Sequence, residues 1–356
     1  MTQDHIPVML DEVVSAMAPR DGETYIDATF GAGGYASALL EAADCHVIGF
    51  DRDPRSIKAA AALQDKYQGR LTLIEAPFAQ MQDALAAQSI SAVHGVMFDL
   101  GVSSMQLDKA DRGFSFLRDG PLSMRMDGGQ PDARNVVNEG SADDLRLIFR
   151  IFGEEKNASH LAKAVVAARG TKPIETTAQL AAIIEAASPS RFTGKKGRTI
   201  HPATRVFQAI RLFVNDELGQ LARALCAVER LLAEGGRLVA VSFHSLEARI
   251  VKRFLADRSG IAQSTSRHKP LAQAKPSLFD RRLTQQVKPS DDEEARNPRA
   301  RSALLRRGVR TSQRAETEMH ADDLKFAGLP MLDLSKPLCV FPAAHGGMPV
   351  PFTPGV

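Results

Sequence analysis

Cysteine is scarce in this 356-residue chain: Cys45, Cys226 and Cys339 stand far apart, and no CxxC pair occurs. That spacing argues against a thiolate zinc site and a disulfide framework, and it suits a reducing compartment, so a cytoplasmic location is expected. Also missing is any run of about eighteen apolar residues, the length a membrane-spanning helix needs, so no membrane partner is expected. The N-terminus carries Asp4 and His5, where a signal peptide would carry a basic start and an apolar block. A dominant charge sign is absent as well. The 45 Lys and Arg against 42 Asp and Glu leave a formal net charge of +3, so nucleic-acid affinity would have to come from local clusters.

What is present is an ordinary globular balance, 44% apolar and 24% charged, over a length that suggests two domains. The first hundred residues alternate strand and helix signals. Tyr25–Ala28 is an apolar run before a glycine-rich turn, Gly31-Ala-Gly-Gly34, and a helix follows to about Ala43. His46–Phe50, Leu71–Ala76 and Val93–Leu100 read as further buried strands, separated by helices over 54–67 and 78–88. Continuous rather than alternating apolar strands point to a parallel sheet covered on both faces. From 107 to 204 helix signals dominate, over Ser141–Phe152, Ala158–Arg169 and Thr177–Ala187. The α/β pattern then resumes. A long helix interrupted near Gly219 runs to about Ala233, and Arg237–Phe243 is a fifth strand. Ser245 is placed to cap a helix over Leu246–Asp257, and Leu283–Lys288 and Ser302–Val309 are the last strands. The expected layout is a first sheet part at 1–106, a helical insertion at 107–204, a second sheet part at 205–312 and a loose Pro- and Gly-rich extension at 313–356.

A strand, glycine turn and helix in succession make a ligand site, because glycine lets the backbone approach closely and the helix start offers unused N–H groups. The turn Gly31-x-Gly33-x-x-Ala36 alone also fits a dinucleotide site. Asp51, 18 residues after Gly33, is placed to accept both hydroxyls of an adenosine ribose, whereas Asp53, immediately before Pro54, is the better helix cap. Asp27 sits inside the first strand, where it disfavours a pyrophosphate and suits a cationic cofactor. Asp99 adds a carboxylate at the end of the fourth strand, where ligands lie in open α/β sheets. A turn-forming role for Asp99 ahead of Gly101 competes with that reading.

The motifs together resemble a known family. His5-Ile-Pro-Val-Met-Leu-Asp-Glu-Val13, Tyr25-Ile-Asp-Ala-Thr-Phe-Gly-Ala-Gly-Gly34 and Phe50-Asp-Arg-Asp-Pro54 are similar to segments of the 16S ribosomal RNA cytosine-N4 methyltransferase family. So are Asp99-Leu-Gly-Val-Ser-Ser104 with Gln106-Leu-Asp108, Arg112-Gly-Phe-Ser-Phe116 and Gly120-Pro-Leu-Ser-Met-Arg-Met-Asp127. His201-Pro-Ala-Thr-Arg205, Phe207-Gln-Ala-Ile-Arg211, Ser242-Phe-His-Ser-Leu-Glu247 and Asn297-Pro-Arg-Ala-Arg301 complete an ordered set. The resemblance implies a Rossmann-like class I methyltransferase sheet, mostly parallel and doubly wound, with an inserted all-helical substrate domain. It implies S-adenosylmethionine as cofactor, contacted by Gly33, Gly34, Tyr35, Asp51, Phe78, Asp99 and Gln106, with Phe78 near the adenine. It implies 16S rRNA of the small ribosomal subunit as partner. Tyr35 stands where members of the family usually carry His; a backbone contact would tolerate the change.

For the chemistry, Asp99 or backbone carbonyls of Leu100–Val102 are candidates to accept an N–H of the target amine, and no metal is expected. Lys195, Lys196, Arg198 and His201, then Arg205, and His244 at a strand end are candidate RNA contacts, because RNA binding needs cations for phosphates and planar groups for bases. Arg296, Arg299, Arg301, Arg306 and Arg307 form a second basic cluster. Phe114 and Phe116 are read either as base-stacking residues or as local core. Competing functions are an NAD-dependent oxidoreductase, a methyltransferase of DNA or protein, and a non-catalytic RNA-binding protein. Oligomeric state is open, a homodimer among the options.

Overall fold

The computed structural model describes residues 7–188, 192–193, 199–260, 277–315 and 326–328. Lys195, Lys196 and Arg198 lie outside them. The described residues divide into two compact units, one built from 7–101 with 218–328, the other from 102–217.

The first unit holds a seven-stranded sheet. Its strands are β1 (Thr24–Asp27), β2 (His46–Asp51), β3 (Leu71–Glu75), β4 (Val93–Asp99), β5 (Leu232–Ser242), β6 (Gln285–Val287) and β7 (Leu304–Val309). Their order is 3-2-1-4-5-7-6. Strands β1 to β5 pair in parallel, and β7 runs antiparallel to both of its neighbours. The central strands are apolar on both faces: Tyr25, Ile26, Ile48, Phe50, Val96, Phe98 and Val239 are buried. Such strands need cover on each side. It comes from α1 (Leu10–Met17), α2 (Gly34–Ala42), α3 (Pro54–Ala59), α4 (Ala61–Lys66), α5 (Met81–Ala87) and later helices. The strand order reverses between β1 and β4, and the crevice outside the carboxyl ends of those strands is where an open α/β sheet takes its ligand.

The second unit is helical: α6 (Ser104–Asp108), α7 (Ala133–Glu139), α8 (Ala142–Phe152), α9 (Ala158–Thr171), α10 (Thr177–Ala187) and α11 (Ala203–Val214). Reciprocal capping boxes start four of these helices, through Ser103 with Gln106, Asp132 with Asn135, Ser141 with Asp144, and Thr176 with Gln179. Each box satisfies two backbone donors that a helix start otherwise leaves without partners. Leu145, Ile148, Phe149 and Phe152 form the buried stripe of α8. A short antiparallel pair, Phe192–Thr193 with Thr199–Ile200, also lies here, in a region without a strand signal in the sequence. Helix α12 (Glu217–Leu231) leads back into the sheet, followed by α13 (Ser245–Arg258) and α14 (Asp291–Arg296).

Three local expectations are corrected. The long helix breaks at Asn215–Asp216, where Asp216 has φ 49°, and Gly219 lies buried inside α12. Asn215 makes the break by binding outward: its side chain donates to the Met124 carbonyl at 2.7 Å and accepts from the Met126 amide at 3.0 Å. The cap of α13 is His244, whose Nδ1 accepts from the Glu247 amide at 3.5 Å, and Ser245 is the first helical residue. Strand β5 begins at Leu232 and runs through Gly235-Gly236, which the sequence reading used as a helix stop. The glycines serve a turn instead: Gly235 has φ 74°, and its amide donates to the Arg310 carbonyl.

Candidate active site

Adjacent strands of one parallel sheet end side by side, so a carboxylate at the last position of each lands in one row. Asp27 ends β1, Asp51 ends β2 and Asp99 ends β4. The loop leaving β1 ties the row together. The Thr29 amide donates to Asp27 Oδ1 at 3.2 Å, the Thr29 hydroxyl accepts from the Asp99 amide at 2.6 Å, and the Gly31 amide donates to Asp51 Oδ2 at 3.0 Å. Gly31 and Gly33 hold φ of 53° and 76°, a region that L side chains rarely adopt. A Cβ on Gly33 would also lie 2.6 Å from the Phe30 ring. The turn is therefore fixed both by conformation and by space.

The electrostatics of the row are unusual. Asp27 is 1% exposed, and its Oδ2 has no hydrogen-bond partner; the shielded Oδ1 of Asp99 has none either. Burial pushes the Asp27 carboxyl up to about 7, and the neighbouring Asp51 charge adds to the rise. Burial pushes Asp99 up to about 8, helped by the charges of Asp27 and Glu247 and opposed by Arg299. Asp51 is also raised by burial, against the pull of the Asp53 and Gly31 amides. Buried carboxylates normally sit beside a cation or with their lone pairs filled. This row lacks that complement, and a ligand carrying positive charge would supply it. A pyrophosphate would meet repulsion.

The other predicted residues are placed as follows. Gly33 caps α2 and Gly34 opens it; a Cβ on Gly34 would lie 2.3 Å from Pro7 Cγ, so that glycine allows the N-terminal segment to lie close. Tyr35 is buried, and its hydroxyl donates to the Val8 carbonyl; only its backbone remains for a ligand. Phe78 meets Phe98 edge to face, with ring centres 5.6 Å apart. Gln106 belongs to the helical unit, where its side-chain oxygen accepts from the Ser103 amide at 3.0 Å. His244 Nε2 lies 3.0 Å from Glu247 Oε1. In the helical unit, His201 rests against the Phe116 ring at 4.6 Å, and Arg205 lies 3.8 Å from Glu155. Phe114 is buried with Arg112 over its face, and the half-buried Phe116 also contacts Phe207.

Two participants escaped the sequence reading. Thr29 links two of the carboxylate strands, and its signal was its place in Asp27-Ala-Thr-Phe-Gly31. Glu247, read only as a first-turn acid, is 2% exposed and accepts from the Phe243 amide at 3.1 Å, and its charge acts on Asp99. Among the described residues no cluster of His, Cys, Asp or Glu is gathered as a metal site, and no helix is long and apolar enough to cross a membrane.

Residues 2–310 match the model of the MraW methylase family. A ribosomal RNA small subunit methyltransferase H from Maricaulis maris is 52% identical over 311 residues, covering 86% of this chain and 91% of its own. The protein of the same name from Rhizobium rhizogenes is 51% identical and covers 92% of both chains. Among solved structures, an rRNA methylase from Streptococcus thermophilus aligns over 85% of this chain and 94% of its own at 10% identity, with a TM-score of 0.36.

Proposed function

The chain belongs to the MraW methylase family, which is S-adenosylmethionine-dependent, and from that premise we propose that it methylates small-subunit ribosomal RNA at the N4 amine of a decoding-region cytidine. The names of its relatives support the ribosomal substrate. The observation that carries the donor site is the row Asp27, Asp51 and Asp99, two of whose buried oxygens lack partners. These residues fit the donor. Asp51 keeps lone pairs for a ribose after accepting from Gly31 and Asp53. Asp27 and Asp99 face the positive charge of an ammonium and a sulfonium.

S-adenosylmethionine supplies a methyl group already activated by its cationic sulfur, so the protein's task is alignment and exclusion of water. Orientation of that kind is worth roughly 7–11 kcal/mol in favourable cases. Cytosine N4 is a poor nucleophile because its lone pair is delocalised into the ring. Asp99 accepts an N–H of that amine, favours its pyramidal form and takes the proton it sheds. Thr29 positions Asp99 through its backbone, and Glu247 raises its proton affinity. In the helical unit His201 and the 40%-exposed side chain of Arg205 are RNA contacts.

Mass spectrometry of nucleosides from 16S RNA, with and without this protein, tests the reading. The expected product is N4-methylated cytidine that disappears when the protein is removed. An unchanged cytidine profile overturns the assignment.

A further inference from the structure

The opposite end of the same sheet carries a cavity that the methyl-transfer reading does not use. It has a volume of about 400 Å³ and opens where β5 begins and β7 ends; Arg230, Arg310, Arg314, Glu234, Gln82 and Thr311 are among its lining residues. Three arginines face one glutamate there. Arg310 is 6% exposed, yet no carboxylate lies within ion-pair distance of it among the described residues. Its guanidinium is held by backbone carbonyls instead: Nε donates to Glu229 at 3.0 Å, and Nη1 donates to Leu278 and Thr311, each at 3.1 Å. Guanidinium has five N–H donors, and these bonds use those on Nε and Nη1. Nη2 makes no hydrogen bond among the described residues, and Arg310 lines the cavity. Burial lowers the Arg310 pKa, with the Glu229 charge opposing. Arg230, from the last turn of α12, donates to the Cys226 carbonyl at 2.7 Å and also lines the cavity. Arg314 is exposed at the rim.

A pre-oriented arginine with further arginines around an open cavity is the arrangement that receives a phosphate group. We propose that this cavity is a second, distal anchor for the RNA substrate and holds a backbone phosphate at the sheet end remote from the carboxylate row. Strand β4, beside β5, has 7 residues between the two ends, a span of about 20 Å at 3.3 Å per residue. Only an extended polyanion reaches both ends at once, so the proposal rests on the RNA-methyltransferase reading above. Contacts here are with phosphate, so they set affinity and register and carry no base preference.

The test is RNA binding by Arg314→Gln and by the double variant Arg230→Gln/Arg314→Gln, with Arg310 left intact because its three carbonyl bonds tie neighbouring segments together. The probe is a labelled single-stranded fragment of the 16S decoding region, titrated over a series of potassium chloride concentrations, beside a scrambled RNA of equal length. Each lost phosphate contact lowers the slope of log K against log salt by about 0.7, which is about fivefold in affinity at 0.1 M salt. The expected result is that loss on both RNAs equally, with S-adenosylhomocysteine affinity unchanged in both variants and thermal stability unchanged in Arg314→Gln, which keeps the Arg230 bond to the Cys226 carbonyl. Variants that bind RNA with the wild-type slope overturn the proposal. It is also overturned if millimolar pyrophosphate stabilises the wild type against heat, but not the variants, while the RNA slopes stay equal; that result marks a pocket for a small free anion. Failure of the broader reading looks different, because the wild type itself would then show no binding to the fragment.

Discussion

The two units handle buried polarity in opposite ways. Among the described residues, the two buried carboxylate oxygens without a hydrogen-bond partner, Asp27 Oδ2 and Asp99 Oδ1, both lie in the sheet unit. The helical unit completes its polar groups internally. Arg125, 3% exposed, pairs with Asp127 at 2.7 Å and donates to the Val214 carbonyl; Arg211 and Glu217 pair at 2.8 Å; Asn215 joins Met124 and Met126. A unit that satisfies its own donors and acceptors gains a defined shape. A unit that leaves carboxylates exposed to one another keeps charge in reserve for a ligand, at a cost in its own stability. Substitutions should therefore separate cleanly: those in the row lower function more than stability, and those in the helical network do the reverse.

The largest effect is expected at Asp99. Asp99→Asn should reduce the rate of methyl transfer to small ribosomal subunits roughly 10²–10³-fold, read in single-turnover assays; a full rate would remove Asp99 as acceptor. Next is Asp27→Asn. Losing a charge-assisted contact of about 1.5–3 kcal/mol should weaken donor binding about 10- to 100-fold by calorimetry, while the melting temperature of the ligand-free protein holds or rises. A fall in stability with unchanged affinity would make Asp27 a structural residue and dissolve the contrast. Third, Asn215→Ala leaves buried backbone groups without partners and should lower unfolding free energy by about 1–3 kcal/mol in denaturant titrations, with donor affinity intact. The smallest effect is Tyr35→Phe, which removes the bond to the Val8 carbonyl. It should lower stability by about 1 kcal/mol and leave the donor dissociation constant unmoved; a weaker affinity would place the Tyr35 side chain in the site.

Much of the sheet unit is legible in the sequence because its strands are continuous apolar runs and its site residues sit at fixed offsets from them. Asp27, Asp51 and Asp99 are found at or next to the C-terminal end of each run, and Asp53 as a cap by its place before Pro54; its side chain does accept from the Arg55 amide at 3.1 Å. Helices α8 to α10 are legible as the helix signals over Ser141–Phe152, Ala158–Arg169 and Thr177–Ala187, within two residues of their observed bounds. What stayed hidden depends on partners distant in sequence. The break after α11 comes from Asn215 reaching residues 89 and 91 positions away, and no local signal there competes with the better-known breaker Gly219. Thr29 gains its role only when β4 lies beside β1, 70 residues on. His244 displaces Ser245 as cap because the chain leaving β5 is still extended at His244, with φ −138° and ψ 163°.

The strand-end carboxylates wait for a cation, and protons report on it directly. Asp27 and Asp99 titrate at about 7 and about 8 in the folded protein, above their unfolded value of 3.8. A raised carboxyl pKa means that the folded state binds more protons than the unfolded one between those values, so stability is full at low pH and is lost as pH rises through 7 to 8. A bound cation favours the carboxylate and lowers these pKa values. Calorimetric titration of S-adenosylmethionine at pH 7, in two buffers of different ionisation enthalpy, measures the proton count. The expected result is release of protons on binding, affinity that rises with pH up to about 8, and loss of both in an Asp27→Asn/Asp99→Asn variant. Binding with no proton exchange and an affinity flat in pH would rule out this role for the carboxylate row.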